Sequence, residues 1–287
     1  MLARPLAAIL AAVALAGCAP SPAAPPAALP DAVTVSVFQN RFDYSTRTLQ
    51  LKVSNGSDDA ITVTRATFES TRFVEPAVWD RPQRIPAAGA RDLAVQLPGP
   101  VCGGGAPVDT VTLTFTLADG ASGTATVTPV DEQGRLDTLN DEDCLIASVS
   151  AVAAIIPADT LRWTPGAHAP ANLELAVRPT GAEGEVTIVE ARGTVLLSLT
   201  DGSGAPVTAL PVNAVIDAST GETRIPLSLA PNRCDPHAVE EDKRGTFFPL
   251  EVGTHDGRSG TIYIAVGDDV RRSLYEFYAD YCGLPGA

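Results

Sequence analysis

Asp119-Gly-Ala-Ser-Gly-Thr124 recurs as Asp256-Gly-Arg-Ser-Gly-Thr261, and each copy is followed by a cysteine, Cys144 after 25 residues and Cys282 after 26. Upstream, Arg91-Asp-Leu-Ala-Val-Gln-Leu97 precedes Cys102 much as Arg224-Ile-Pro-Leu-Ser-Leu229 precedes Cys234. Further back, Thr48-Leu-Gln-Leu-Lys-Val-Ser-Asn-Gly-Ser57 matches Thr194-Val-Leu-Leu-Ser-Leu-Thr-Asp-Gly-Ser203. Three blocks in the same order point to a tandem duplication, and two copies are too few for a solenoid. Four cysteines allow three pairings. The repeat selects Cys102 with Cys144 and Cys234 with Cys282, one disulfide per copy.

Within each copy the apolar residues alternate with polar ones. Val33, Val35 and Val37 do so, as do Leu49, Leu51 and Val53, and Val111, Leu113, Phe115 and Leu117. Period 2 is the signature of a half-buried strand. Asn55-Gly56, Asp119-Gly120, Asp201-Gly202 and Asp256-Gly257 supply turns, since these residues tolerate the positive φ that tight hairpins need. Six or seven short strands and one cross-link per copy predict an all-β chain of two tandem immunoglobulin-like β-sandwiches, each ending in a short disulfide-linked helix. The last helix shows Val270, Leu274, Phe277 and Tyr281 on one face; Tyr275 and Tyr278 fall off that face, open to a partner or packed on the neighbouring domain. The boundaries read from the repeat are 32–147 for the first domain, 148–157 for an apolar interdomain segment and 158–287 for the second. On these boundaries 158–287 is expected to fold alone.

Residues 1–17 carry one basic side chain, Arg4, then a short apolar run closing on small residues, the order of an export signal. The run is shorter than the roughly 20 residues of a membrane-spanning helix. Leu15-Ala16-Gly17-Cys18 resembles the lipobox of bacterial lipoproteins, which implies cleavage before Cys18 and a diacylglyceryl group on its thiol. Residues 18–31, rich in Pro and Ala, then read as a lipidated, semi-rigid tether. The resemblance implies an extracytoplasmic protein, lipid-anchored to the cell membrane, in a compartment that permits disulfides.

The chain carries a net charge of −14, which becomes −15 when Arg4 leaves with the leader (−14 − 1). Nucleic-acid binding needs clustered Lys and Arg, and no such cluster is present, so nucleic acid is excluded as a partner. The most chemical-looking segment is Arg233-Cys-Asp-Pro-His-Ala-Val-Glu-Glu-Asp-Lys-Arg244, an insertion in the second copy. Asp235, His237, Glu240, Glu241 and Asp242 offer mixed nitrogen and oxygen donors for a ligand. Their spacing fits no recognised zinc or calcium loop, so a solvated, salt-bridged loop is expected, with no metal and no cofactor. His255 and Ser259 crowd into one hairpin without an orienting scaffold, and His168 reads as a loop residue. The expected function is therefore a non-catalytic binding or scaffolding module at the cell envelope, held by the acyl anchor on Cys18 and meeting an envelope protein. The alternative is a small-molecule, sugar or metal-binding lipoprotein using the 233–244 loop or the interdomain cleft, and a hydrolase comes third.

Overall fold

The computed structural model describes residues 25–235, 237, 239 and 246–284. Cys18 and the leader lie outside the described residues, as do Glu240, Glu241 and Asp242. The chain forms two immunoglobulin-like β-sandwiches, each followed by a helix that carries a disulfide.

The first sandwich runs β1 (Val33–Phe38), α1 (Asp43–Thr46), β2 (Thr48–Asn55), β3 (Ile61–Ser70), β4 (Ala77–Trp79), β5 (Gln83–Ile85), β6 (Gly89–Gln96), β7 (Asp109–Thr116) and β8 (Ser122–Val127). One sheet has the order β1-β2-β6; the other is β4-β3-β7-β8, with β5 also on β3. Antiparallel register sets Val35 against Val53 and Val37 against Leu51, and then Leu51 against Leu93. Because side chains alternate across a pleated strand, one face of this sheet is a continuous apolar layer. It meets Ile61, Val63, Phe68, Leu113 and Phe115 of the facing sheet in one core.

After the first sandwich come α2 (Arg135–Val152), β9 (Ala153–Pro157), β10 (Ala171–Pro179), β11 (Glu185–Arg192), β12 (Leu197–Thr200), β13 (Pro206–Val207), β14 (Ala209–Asp217), β15 (Thr223–Pro231), β16 (Phe247–Thr254), β17 (Ser259–Ala265) and α3 (Asp268–Cys282). The second sandwich pairs a β13-β12-β15-β10-β9 sheet with a β14-β11-β16-β17 sheet.

Two of the three repeated blocks fall on matching elements. The Asp-Gly-x-Ser-Gly-Thr blocks turn β7 into β8 and β16 into β17, with Gly120 at φ 88° and Gly257 at φ 82°. The blocks before Cys102 and Cys234 lie on β6 and β15. The third pair differs: Thr48–Ser57 is β2, but Thr194–Ser203 covers β12, an added strand on the far side of β15 from β10. The counterpart of β2 is β10, where Leu173, Leu175 and Val177 stand as Leu49, Leu51 and Val53 do, facing β15 as those face β6. Asn55-Gly56 is likewise no hairpin. It carries the chain from one sheet to the other, with Asn55 buried and its amide held by the carbonyls of Asp59 and Pro86.

Of the segment 18–31 expected as a tether, residues 18–24 lie outside the described residues and part of the rest packs on the first sandwich. Ala27 and Leu29 lie on the first sandwich: the Ala27 N–H donates to the Ser122 carbonyl at 2.8 Å, and both side chains pack against the first core. Gly123 permits this, since a Cβ there would overlap the Ala27 carbonyl oxygen.

Helix α2 departs most from the sequence reading. Asp131 caps it, its carboxylate accepting the N–H groups of Arg135 and Leu136 at 2.8 Å each. Leu136 and Leu139 enter the first core, whereas Leu145, Val149 and Val152 enter the second. At 3.6 residues per turn these two sets point from nearly opposite sides of the helix. The expected interdomain segment 148–157 is thus the end of this helix followed by β9, an edge strand of the second sandwich paired to β10. Cys144, in mid-helix, is bonded to Cys102 with a Cα–Cα distance of 5.6 Å; Cys282, at the end of α3, is bonded to Cys234 at 5.2 Å. Such bonds persist in oxidising, extracytoplasmic compartments. Among the described residues no helix is long and apolar enough to cross a membrane.

Candidate functional site

The start of the inserted segment, Arg233 to Asp235, is anchored to the last helix. Cys234 ties it to α3, and the Tyr278 hydroxyl donates to the Arg233 carbonyl at 2.5 Å and accepts the Asp235 N–H at 3.2 Å. Asp235 accepts the backbone N–H of His237 at 3.0 Å, a local turn contact. The structure brings Asp235 and His237 together in this way; Glu240, Glu241 and Asp242 fall outside the described residues. Among the described residues no three His, Cys, Asp or Glu side chains are grouped to hold a metal ion.

The tyrosines of α3 turn inward. Tyr278, placed by the helical spacing off the core face, is fully buried, because the helix is covered on a second side by the 233–235 loop it bonds. Tyr275 and Tyr281 pack against the same core. The His168 ring meets the Tyr281 ring edge-on at 5.9 Å and its Nδ1 lies 2.9 Å from the Tyr281 carbonyl. His168 is therefore part of the cover over α3.

In the β16–β17 hairpin, the His255 N–H donates to the Glu185 carbonyl at 2.9 Å. Asp256 is engaged elsewhere. It accepts from the Thr254 hydroxyl, from the Ser148 hydroxyl at 3.0 Å and from Arg258 at 3.1 Å. These bonds, the one from Thr254 foremost, hold its carboxyl down to about 2. Ser148 belongs to α2, so the hairpin's acid fastens the shared helix to the second sandwich.

Where α2 passes between the sandwiches, a cleft of about 240 Å³ opens. Tyr44 and Arg47 of the first domain form one wall, Leu139, Glu142, Asp143 and Ile146 of α2 the floor, and Phe247, Thr261 and Tyr263 of the second domain the other wall. Arg47, left-handed at φ 52°, reaches the Asp143 carboxylate at 2.6 Å and the Pro98 carbonyl at 2.8 Å. Burial raises the Asp143 carboxyl above its ordinary range in spite of Arg47. Arg135 lies 4.5 Å over the Tyr44 ring and pairs with Glu142 at 2.9 Å. On the opposite wall Thr261 donates to Glu251, which also faces Arg192 at 3.4 Å. Tyr263 is 50% exposed and Ile146 47%.

The sequence reading named an interdomain cleft but none of these residues. One signal was present: Tyr263 is an aromatic at an outward position of β17, between Thr261 and Ala265, where polar residues are expected. The other, Asp141-Glu142-Asp143, reads as a solvated charge run until Arg47 and Arg135 are brought to it by the fold.

No family model and no curated protein matches the chain. Among solved structures, it is similar to red sea bream transglutaminase, at 12% identity and a TM-score of 0.23, covering 83% of this chain and 31% of that one. Amycolatopsis orientalis exo-chitosanase CsxA aligns at 13% identity and a TM-score of 0.21, over 81% of this chain and 26% of the other. The chain thus spans less than a third of the length of either. The B domain of biofilm associated protein aligns at 8% identity and a TM-score of 0.24, over 83% of this chain and 86% of that one.

Proposed function

We propose that this chain is a lipid-anchored, non-catalytic binding or scaffolding module of a bacterial cell envelope, presenting the cleft between its sandwiches to a ligand or partner. The observation that carries this reading is the entry of α2 into both cores, which holds two sandwiches as one body around a cleft of aromatic and paired charged side chains. The lipobox resemblance at Cys18 supports the anchor, and the two disulfides agree with an extracytoplasmic address. A non-catalytic role is supported by the β16–β17 hairpin, where Asp256 serves Thr254, Ser148 and Arg258 as a structural acceptor.

The test is labelling with a radioactive fatty acid in the native host, followed by envelope cross-linking. Wild type is expected to take up label and stay with the membrane, while Cys18→Ser takes up none and is released, because a serine hydroxyl cannot form the thioether. Label at wild-type level in Cys18→Ser would overturn the anchor.

A further inference from the structure

We infer that the cleft between the sandwiches binds a neutral sugar ring, a reading that rests on the proposed role as a binding module. The first argument is charge. The acids at and around the cleft each face a base or hydroxyl: Asp143 faces Arg47, Glu142 faces Arg135, and Glu251 faces Arg192 and Thr261. Arg192 is also paired with Glu190 at 2.6 Å, so each arginine at the cleft and its border is already engaged by a carboxylate of the protein and none stands free to draw an anion. An ionic ligand would have to compete for Arg47 or Asp143, and separating a largely buried pair leaves an uncompensated charge in a poor solvent. A neutral ligand leaves every pair intact.

The second argument is the kind of surface offered. Phe247 and Tyr263 are adjacent outward positions of neighbouring strands, Tyr263 opposite Pro249 and Phe247 opposite Ala265, and they line the same cleft as Ile146. Rings and aliphatic side chains receive the C–H face of a pyranose. At the rim, Glu142 is 49% exposed and Arg47 34%, so each keeps open acceptor or donor positions beyond its partner. Planar carboxylate and guanidinium groups beside aromatic rings suit a ligand whose edge is hydroxyls and whose face is carbon. At about 240 Å³ the space is below the roughly 300–1,000 Å³ of pockets for drug-sized ligands. It therefore takes one ring, with any further residues of a saccharide running out over the exposed face of the β14-β11-β16-β17 sheet.

The experiment is equilibrium binding of the full-length, disulfide-oxidised protein in detergent to immobilised neutral, amino-sugar and uronate-containing oligosaccharides. Neutral oligosaccharides are expected to bind. Tyr263→Ala, which removes an exposed ring, is expected to weaken binding by about tenfold or more, as loss of an aromatic anchor does. Ile146→Trp, which fills the cleft, should abolish it, and Val195→Ala, at an exposed residue outside the cleft lining, should leave it unchanged. Thermal unfolding of each variant at the wild-type midpoint keeps lost binding apart from lost fold. Preference for the charged sugars, or binding indifferent to both cleft variants, overturns the inference. A blank array together with an envelope protein captured by a photo-crosslinker at position 263 overturns the sugar while the binding-module reading stands; a blank in both overturns the two together.

Discussion

Truncation at the boundary read from the repeat is expected to unfold the second sandwich. Residues 158–287 contain β10 to β17 and α3 but lack Leu145, Val149 and Val152, which are buried in that sandwich's core, and the whole of β9. Burying a Val or Leu side chain contributes about 1.5–3 kcal/mol. Three of them contribute about 5–9 kcal/mol, an upper range because unfolded chains already bury some apolar surface. A domain's net stability is about 5–15 kcal/mol, so the loss is comparable to the whole. Removal of β9 adds to it by stripping β10 of an antiparallel partner over five register positions, Leu175–Pro179. The comparison is between 158–287 and 141–287 carrying Cys144→Ser, both oxidised at Cys234 and Cys282, followed by circular dichroism in urea. The longer piece should unfold cooperatively and the shorter should show no transition or one at much lower urea. Cooperative unfolding of 158–287 within about 1 kcal/mol of 141–287 would show that the α2 side chains contribute little, and would refute the reasoning.

Three further outcomes follow from the same contacts. Replacing Cys102 and Cys144 by serine opens a loop of 42 residues and should lower stability by about 4 kcal/mol from loop-closure entropy, read as a lower urea midpoint. Arg72, buried between Asp109 at 2.5 Å and Asp137, ties the end of β3 to β7 and α2; Arg72→Met should cost about 3–5 kcal/mol by leaving Asp109 uncompensated, whereas Arg224→Ala at an exposed pair should cost under about 1 kcal/mol. Asp256 has its carboxyl lowered to about 2, so its contribution is present above the ordinary value of 3.8 and is lost as pH falls through about 2; acid unfolding of Asp256→Asn should lack the part of the pH dependence between those values, and an unchanged acid profile would contradict the fastening of α2 by this residue.

The alternation in β1, β2 and β7 was legible because each strand has one wet face and one dry face, so pattern and burial coincide. The disulfides were legible because the repeat restricts the pairing. Helix α2 was not. Its apolar residues serve two cores from opposite sides, and a helix with Leu136 and Leu139 on one side and Leu145, Val149 and Val152 on the other shows no single stripe. The match of Thr194–Ser203 to β2 misled for a related reason: Leu-x-Leu alternation marks any strand facing this core, and β12 faces the same core as β10. The cleft was hidden because its residues come from α1, α2, β16 and β17, brought together only by the packing of two domains.

The contact of Ala27 with Ser122 also sets a distance. If Cys18 bears the proposed acyl chain, only nine residue steps separate the lipid from the first fixed point on the protein. Whatever path they take, an extended chain spans at most roughly 3.3–3.6 Å per residue, or about 30 Å in all. With that anchor, the β7–β8 turn would be moored close to the bilayer, within the reach of lipid headgroups and other short-stalked neighbours. Such a mooring at one end of the first sandwich would also limit the angles the body can sweep. Lengthening the leash ahead of Ala27 would widen that sweep without altering a single contact in either core.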